Sequence, residues 1–429
     1  MILCGLYEIF ENIWRATADF LSSAAVMATV AEQPLADLLL VSRASKAGAG
    51  ERSRLAIVGM GLVGRRHAAA INQISSVEIC AVVDADDAIT AQVANAGFES
   101  YNDLCAMINA TRPDGIILST PTNLHMSQAL ACVESGIPVL IEKPIAHDLA
   151  AAQSIVSKSD TLGVPVMVGH HRRFNPIIQK AKDVLTQGLI GKIRVVDAKC
   201  WFAKPNDYFE TAPWRKINGA GPVSINLVHD IDLLRFLCGE IIEVKAMMAP
   251  SARGHDIEDV AVAIFRFENG ALGTVSVSDN AVSPWSWEVT SGEYPIYPFT
   301  GQSAYQIGGS RGALSVPDLK IWQHEGEPDW WSSIDSTTLS VAMADPLANQ
   351  IKHFAAVIRG EAKPLVSGYE GLCTLAVIDA MREAAKTGRA ICPADLIAVD
   401  KTAEEENMRF TAKARAHVKA DSAWTNQAP

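Results

Sequence analysis

Four short stretches carry residue types whose spacing could do chemistry. In AIVGMGLVGRRH (residues 56–67), Gly59, Gly61 and Gly64 follow directly on an apolar run. Behind a strand and ahead of a helix, this spacing lets a backbone loop cradle a pyrophosphate. Gly59 permits the turn, Gly61 lets phosphate approach the main chain, and Gly64 allows close packing of helix on strand. Met60, Leu62 and Val63 complete the loop, and the first helical amides face the anion. Asp84, about 25 positions further on in VVDAD, can accept hydrogen bonds from ribose hydroxyls and repel a 2′-phosphate, so NAD is expected over NADP. The alternative is that Asp84 only begins a turn, as aspartate often does. Lys143 sits between Glu142 and Pro144 at the end of an apolar run, where a side chain points into the ligand crevice of a parallel sheet. A surface lysine paired with Glu142 is the alternative, and proline makes a cis geometry accessible at this step. His229, in GPVSINLVHDIDLLRF, falls in a helical pattern that sets Ile225, Asn226 and Asp232 on its face. From the spacing alone, an active-site imidazole and core packing beside Asp230 or Asp232 are both open there. No metal is expected, because consecutive helix positions do not converge on one ion.

The elements that must position these residues are legible as an alternation. LAIVG, VEICAVVDAD, DGIILSTP and IPVLIEKP read as strands separated by helical stretches, which predicts βαβ units and a parallel sheet. Further along, IRVVDAKCWF is strand-like, and DVAVAIFRFENGALGTVSVSD alternates around Asn269-Gly270, a hairpin signal. The fold class expected is α/β: an N-terminal Rossmann dinucleotide-binding domain (54–168), then an α+β domain with a mostly antiparallel sheet (169–345). Helices follow at 346–400 and a polar tail at 401–429. The stretch 283–302 carries Trp285, Trp287, Tyr294, Tyr297 and Phe299, which are costly to leave exposed. They cover either a sugar-like face in the active site, in which case Glu288 orients a substrate hydroxyl, or a neighbouring subunit.

From Leu55 onward the order of STPTNLH, EKP, GHHRRFNP, WRKINGAGPVSINLVHDIDLLRFLCG, FENGALGTVSVSD and IGGSRGAL resembles the Gfo/Idh/MocA oxidoreductases, which include glucose-fructose oxidoreductase and inositol dehydrogenase. The resemblance covers about residues 54–395. It implies a nicotinamide-side loop at Thr120, Pro121, Asn123 and His125, contact of Glu142 with the nicotinamide ribose, and Lys143 on the reacting oxygen. Arg172, Trp214 and Arg215 become substrate-side residues by the same resemblance, and the open sheet face implies a homo-oligomer, a dimer or tetramer. The family places a catalytic Asp four residues before the histidine; this chain has Ile225 there, and Asn226 would orient the ring instead.

Composition sets the outer limits. The 429 residues are 49% hydrophobic, enough for two substantial cores, and the formal net charge of -11 without a basic cluster argues against a nucleic-acid surface. The eight cysteines show no zinc-site spacing and read as reduced thiols of a cytoplasmic protein. Residues 1–53 lack a basic n-region and a continuous apolar core, so neither a signal peptide nor a membrane span is expected; a dispensable extension is, with Met27 an available alternative start. The expected function is an NAD-dependent oxidoreductase interconverting a secondary alcohol and a ketone, or a lactol and a lactone, on a sugar, sugar acid or cyclitol, with Lys143 and His229 catalytic. A dinucleotide-bound sensor or regulatory protein of the same fold is the alternative, kept open by Ile225.

Overall fold

The structure, a computed structural model, describes Leu35 and residues 52–397. The expectations for the N-terminal extension, Leu35 aside, and for the polar tail lie outside the described residues. Leu35 itself is buried in the core of the first domain.

That domain runs β1 (Ser53–Val58), α1 (Leu62–Ile71), β2 (Val77–Val83), α2 (Asp87–Asn95), β3 (Glu99–Tyr101), α3 (Leu104–Thr111), β4 (Gly115–Leu118), α4 (His125–Glu134), β5 (Val139–Ile141), α5 (Leu149–Leu162) and β6 (Val166–Val168). The six strands are parallel in the order β3-β2-β1-β4-β5-β6, which puts the topological switch between β1 and β4. Helices cover both faces, so β1, β4, β5 and β6 are near-continuous apolar runs with buried side chains. Asp86, Asp103 and Asp148 cap α2, α3 and α5 by accepting main-chain N–H bonds.

The second domain contains α6 (Pro176–Thr186), β7 (Ile193–Trp201), α7 (Val228–Cys238), β8 (Ile241–Pro250), β9 (Glu258–Phe267), β10 (Leu272–Ser278), β11 (Tyr305–Gly309), β12 (Ala313–Val316), β13 (Lys320–Gln323), β14 (Asp335–Thr338), α8 (Pro346–Ile358) and α9 (Gly368–Thr387). Its eight strands follow the order β14-β13-β12-β11-β7-β10-β9-β8 and are antiparallel except for β7 with β10. The β9–β10 hairpin turns at Asn269-Gly270, where Gly270 takes φ +86°. One face packs Ala261, Ala263 and Phe265 against α6, α7 and α9; the other exposes Val195, Val262, Ile264 and Leu272.

Two C-terminal helices join the halves. In α8, Leu347, Ile351 and Phe354 belong to the first domain's core, and α8 lies so close to β4 that a Cβ on Gly115 would meet Ile358 Cδ1 at 2.5 Å. In α9, Leu372 and Leu375 face the first core while Val377, Ile378 and Met381 face the second. The crevice between the domains is therefore framed by the carboxyl ends of the parallel strands on one side and by the start of α7 on the other.

Candidate active site

The glycine loop is held as the spacing requires. Gly59 takes φ +87°, and a Cβ there would approach the Ser119 carbonyl oxygen to 2.8 Å. A Cβ on Gly64 would fall 2.0 Å from the Gly59 carbonyl oxygen, whereas one on Gly61 would meet no protein atom. The protein thus demands glycine at 59 and 64 for its own packing, while Gly61 is bare toward the crevice. Helix α1 starts at Leu62, three residues earlier than the sequence pattern indicates, and no side chain caps it. The first-turn amides of Leu62, Val63 and Gly64 are therefore left for an anion, the donor set a pyrophosphate needs. Leu62 and Val63 expose their side chains at the loop, whereas Met60 is buried.

Asp84 closes this loop from the end of β2. Its Oδ2 accepts the Met60 N–H at 2.7 Å and its Oδ1 the Asp86 N–H at 3.0 Å. A carboxylate offers about four acceptor positions, so each oxygen keeps capacity for a ribose hydroxyl. A cavity of about 830 Å³ runs from here along the sheet edge, lined by Gly59, Gly61, Asp84, Thr120, Pro121 and Gln128 among others. These residues fit a dinucleotide.

On the nicotinamide side the residues divide. Ser119, which sequence reasoning passed over, donates to the carbonyls of Gly59 (2.7 Å) and Val58 (3.1 Å) and fastens β4 to the loop. Thr120 and Pro121 line the cavity; Asn123 is exposed on the turn Thr122–Leu124 and does not. His125 is buried, with Nδ1 at 3.0 Å from the Pro144 carbonyl and Nε2 at 2.9 Å from that of Thr120, so it ties two loops together instead of reaching into the cavity. Glu142 receives a bond from buried His67 Nε2 at 2.8 Å, a partner absent from the sequence reading. Burial would raise the Glu142 pKa, but His67, His171 and Lys143 outweigh it and bring it to about 2.

Lys143 follows at the cis Lys143-Pro144 step, and its ammonium does not pair with Glu142. Nζ instead crosses the crevice to donate to the main-chain carbonyl of Ile225 at 3.3 Å. Burial lowers its pKa, Glu142 opposes and Arg172 reinforces the change, and the result is about 8. The expectation of one continuous α-helix around His229 is corrected: Val223–Leu227 form a π-helical turn ahead of α7. The wider turn shifts residues 223–227 out of α-helical register with His229. His229 Nδ1 is buried with no hydrogen-bond partner, as is Asn226 Oδ1, so Asn226 does not orient the ring through that nitrogen. Burial, with Lys143, Arg172 and two neighbouring histidines, holds the His229 pKa well below the ordinary imidazole value and keeps it neutral.

The segment 283–302 packs onto this centre from the second domain. Trp287 is fully buried, stacked on Tyr305, and donates Nε1–H to Glu293 at 3.1 Å. Both expectations for it, a sugar face and a subunit contact, are corrected: with its indole N–H satisfied internally it is core. Glu288 accepts from Arg172 at 2.7 Å, and Arg172 lies 3.7 Å from Asp230. Burial raises the Asp230 pKa to about 6 against the pull of Arg172. Glu293 lies 3.1 Å from His171 Nε2, and Arg66 of α1 donates to the Tyr294 hydroxyl at 2.9 Å. His171 and Glu293 are not legible as site residues in the sequence, whereas Tyr294 is one of the aromatic residues noted at 283–302. Asp232, by contrast, is a structural anchor that takes Arg173 at two points, 2.8 and 2.7 Å. Trp214 is exposed, and Arg215 is engaged with the Tyr208 carbonyl at 2.6 Å on a peripheral turn.

Comparison with known proteins agrees with this geometry. The profile described as an oxidoreductase family with an NAD-binding Rossmann fold (GFO/IDH/MocA) matches residues 53–170, and that of the GFO/IDH/MocA C-terminal domain matches residues 178–315. D-apiose dehydrogenase of Paraburkholderia graminis is 27% identical over 80% of this chain and 90% of its own. Myo-inositol 2-dehydrogenase of Thermotoga maritima is 24% identical over 79% of this chain and 98% of its own. Among solved structures, the WlbA dehydrogenase from Bordetella pertussis in complex with NADH and UDP-GlcNAcA superposes with a TM-score of 0.66 at 26% identity, covering 82% of this chain and all of that one.

Proposed function

The chain belongs to the Gfo/Idh/MocA oxidoreductase family, with that family's NAD-binding Rossmann domain, and from this premise we propose that it interconverts a secondary alcohol and a ketone, or a lactol and a lactone, on a sugar, sugar acid or cyclitol. The observation that carries the reading is the position of Lys143: half-buried at the carboxyl end of β5, bonded across the crevice to Ile225, beside a neutral His229. Gly61, the uncapped start of α1, Asp84, Thr120 and Pro121 would hold NAD, which when bound supplies the acceptor and donor of hydride. One of the three ammonium protons of Lys143 is used on Ile225; the others can meet the reacting oxygen and stabilise its developing negative charge. An imidazole at the same crevice exchanges the hydroxyl proton.

The substrate class rests on a buried polar cluster whose Arg172 and Glu288 act electrostatically on Lys143. Arg172 Nε and Nη1, Glu288 Oε2 and Asp230 Oδ2 are buried without hydrogen-bond partners in the protein. Donors and acceptors so interleaved suit adjacent hydroxyls. Relatives named for apiose and inositol, and a neighbour holding a nucleotide sugar acid, support the same class. Relatives named as dehydrogenases support the oxidoreductase reading over a sensor. The exposed face at Val195, Val262, Ile264 and Leu272 suits a second copy of the chain, for which light scattering should give a mass above 46.0 kDa. Thiols outside any disulfide at Cys80, Cys105, Cys132, Cys200, Cys238 and Cys373 favour a reducing, cytoplasmic setting; fluorescence of a tagged chain outside the cytoplasm would count against it. The activity is tested by NADH formation from a panel of cyclitols, aldoses and uronates; tight NAD binding with no turnover on any of them would defeat the reading.

A further inference from the structure

We infer that the imidazole exchanging the substrate's proton is His171, backed by Glu293, and not His229. The inference rests on the oxidoreductase reading above and deepens it.

A base that must become an imidazolium needs a carboxylate to orient it and to stabilise the charge it acquires. Position 225, where the family resemblance calls for that carboxylate, holds Ile225, and His229 Nδ1 meets no acceptor. A carboxylate does reach the centre by another route, from the segment 283–302. Glu293 Oε1 lies 3.1 Å from His171 Nε2, and the Tyr294 hydroxyl lies 2.9 Å from the same nitrogen. Glu293 is itself fixed by Asn175 Nδ2 at 2.8 Å and Trp287 Nε1 at 3.1 Å, so the acid cannot swing away. An ionised carboxylate only accepts, so the N–H facing Glu293 is assigned to Nε2, and Nδ1 is the ring nitrogen left to meet substrate. No hydrogen bond from the described residues engages Nδ1.

The ring lies at the carboxyl ends of the parallel strands. His171 opens the turn His171–Phe174 directly after β6, next to β5 and Lys143 in the sheet. It stands edge-on to His229 with centroids 5.5 Å apart, and its side chain is 11% exposed. The charged and titratable groups facing it are Glu142 from the end of β5, Arg66 through Tyr294 from α1, His229 from α7, Arg172 from its own turn, and Glu293 with Tyr294 from the second domain.

In the oxidising direction the carbinol C–H bond breaks as hydride passes to NAD, and the O–H bond breaks as its proton passes to His171 Nδ1. A C=O double bond forms, the substrate loses the two electrons that NAD gains, and the imidazolium later releases its proton to solvent. Glu293 stays ionised and acts as a positioning residue; Lys143 holds the oxygen, and His229 packs against the ring.

The test compares His171→Gln, which keeps an N–H for Glu293 but has no base, with His229→Gln in the full-length protein. Lys143→Met runs beside them as the control for the underlying reading. NAD affinity by calorimetry checks that each variant folds. His171→Gln should lower kcat by about 100-fold or more with KM changed only a few-fold, exceeding the loss in His229→Gln. Glu293→Gln should also lower kcat, and Glu293→Asp should restore most of it. A His171→Gln protein that turns over at the unmodified rate while His229→Gln is disabled overturns the assignment. So does a Glu293 pair of variants that alters KM or folding alone.

Discussion

The ammonium of Lys143 and the carbonyl of Ile225 meet at 3.3 Å, and this one bond joins the two domains at the point where the chemistry is proposed. At position 225 it is the main chain, not the side chain, that contacts the lysine.

A pH dependence follows. Lys143, at about 8, must keep its proton to stabilise the developing oxyanion, so activity should fall as pH rises through about 8. Ile225→Asp places an anion near the ammonium, which favours the charged form and should move that fall to higher pH. Profiles of kcat/KM for the two proteins check the direction, and an unmoved or lowered limb would count against it.

Asp84 should govern dinucleotide choice. Its carboxylate holds the Met60 N–H and would face the ribose of a bound dinucleotide, so Asp84→Ala should weaken NAD binding by about 10-fold or more, the value of a charged hydrogen bond, and narrow the gap to NADP. Calorimetric titration with both dinucleotides measures this; tighter NADP binding by the unmodified protein would refute the role.

Acid should destabilise the fold through Glu293. Burial would raise its pKa, yet His171, Arg172 and Asn175 bring it from 4.5 to about 2. A carboxylate with a depressed folded-state value contributes stability that is present above 4.5 and lost as pH falls toward 2. The drop in melting temperature across that window should be smaller in Glu293→Gln than in the unmodified protein. An equal drop would mean the carboxylate is not held this way.

Trp287→Ala should act on stability before it acts on substrate. Removing a fully buried indole stacked on Tyr305 leaves a cavity and strands Glu293 without one of its donors, at a cost of about 3–5 kcal/mol. Denaturant unfolding should show that loss. A raised KM with unchanged stability would return the residue to the substrate face.

What the sequence showed and what it hid follow from the range of the interactions. Gly59, Gly61, Gly64 and Asp84 act within one strand-turn-helix-strand unit, and Asn269-Gly270 acts within one hairpin, so local spacing sufficed. His67 meets Glu142 across 75 positions and His171 meets Glu293 across 122, pairings that no local pattern encodes. The π turn at Val223–Leu227 was missed because a 3.6-residue period was assumed throughout. Aromatic density at 283–302 pointed to a covered segment; Trp287 is fully buried and satisfied by Glu293, whereas Phe299 is 67% exposed.

The most direct test of the central claim is single-turnover hydride transfer by Lys143→Met with a substrate that the unmodified protein oxidises. Methionine keeps much of the side chain's bulk but removes the charge, so NAD should bind as before while the rate of NADH formation falls by about 100-fold or more. Hydride transfer at the unmodified rate, with Lys143 gone and NAD bound, would contradict the account.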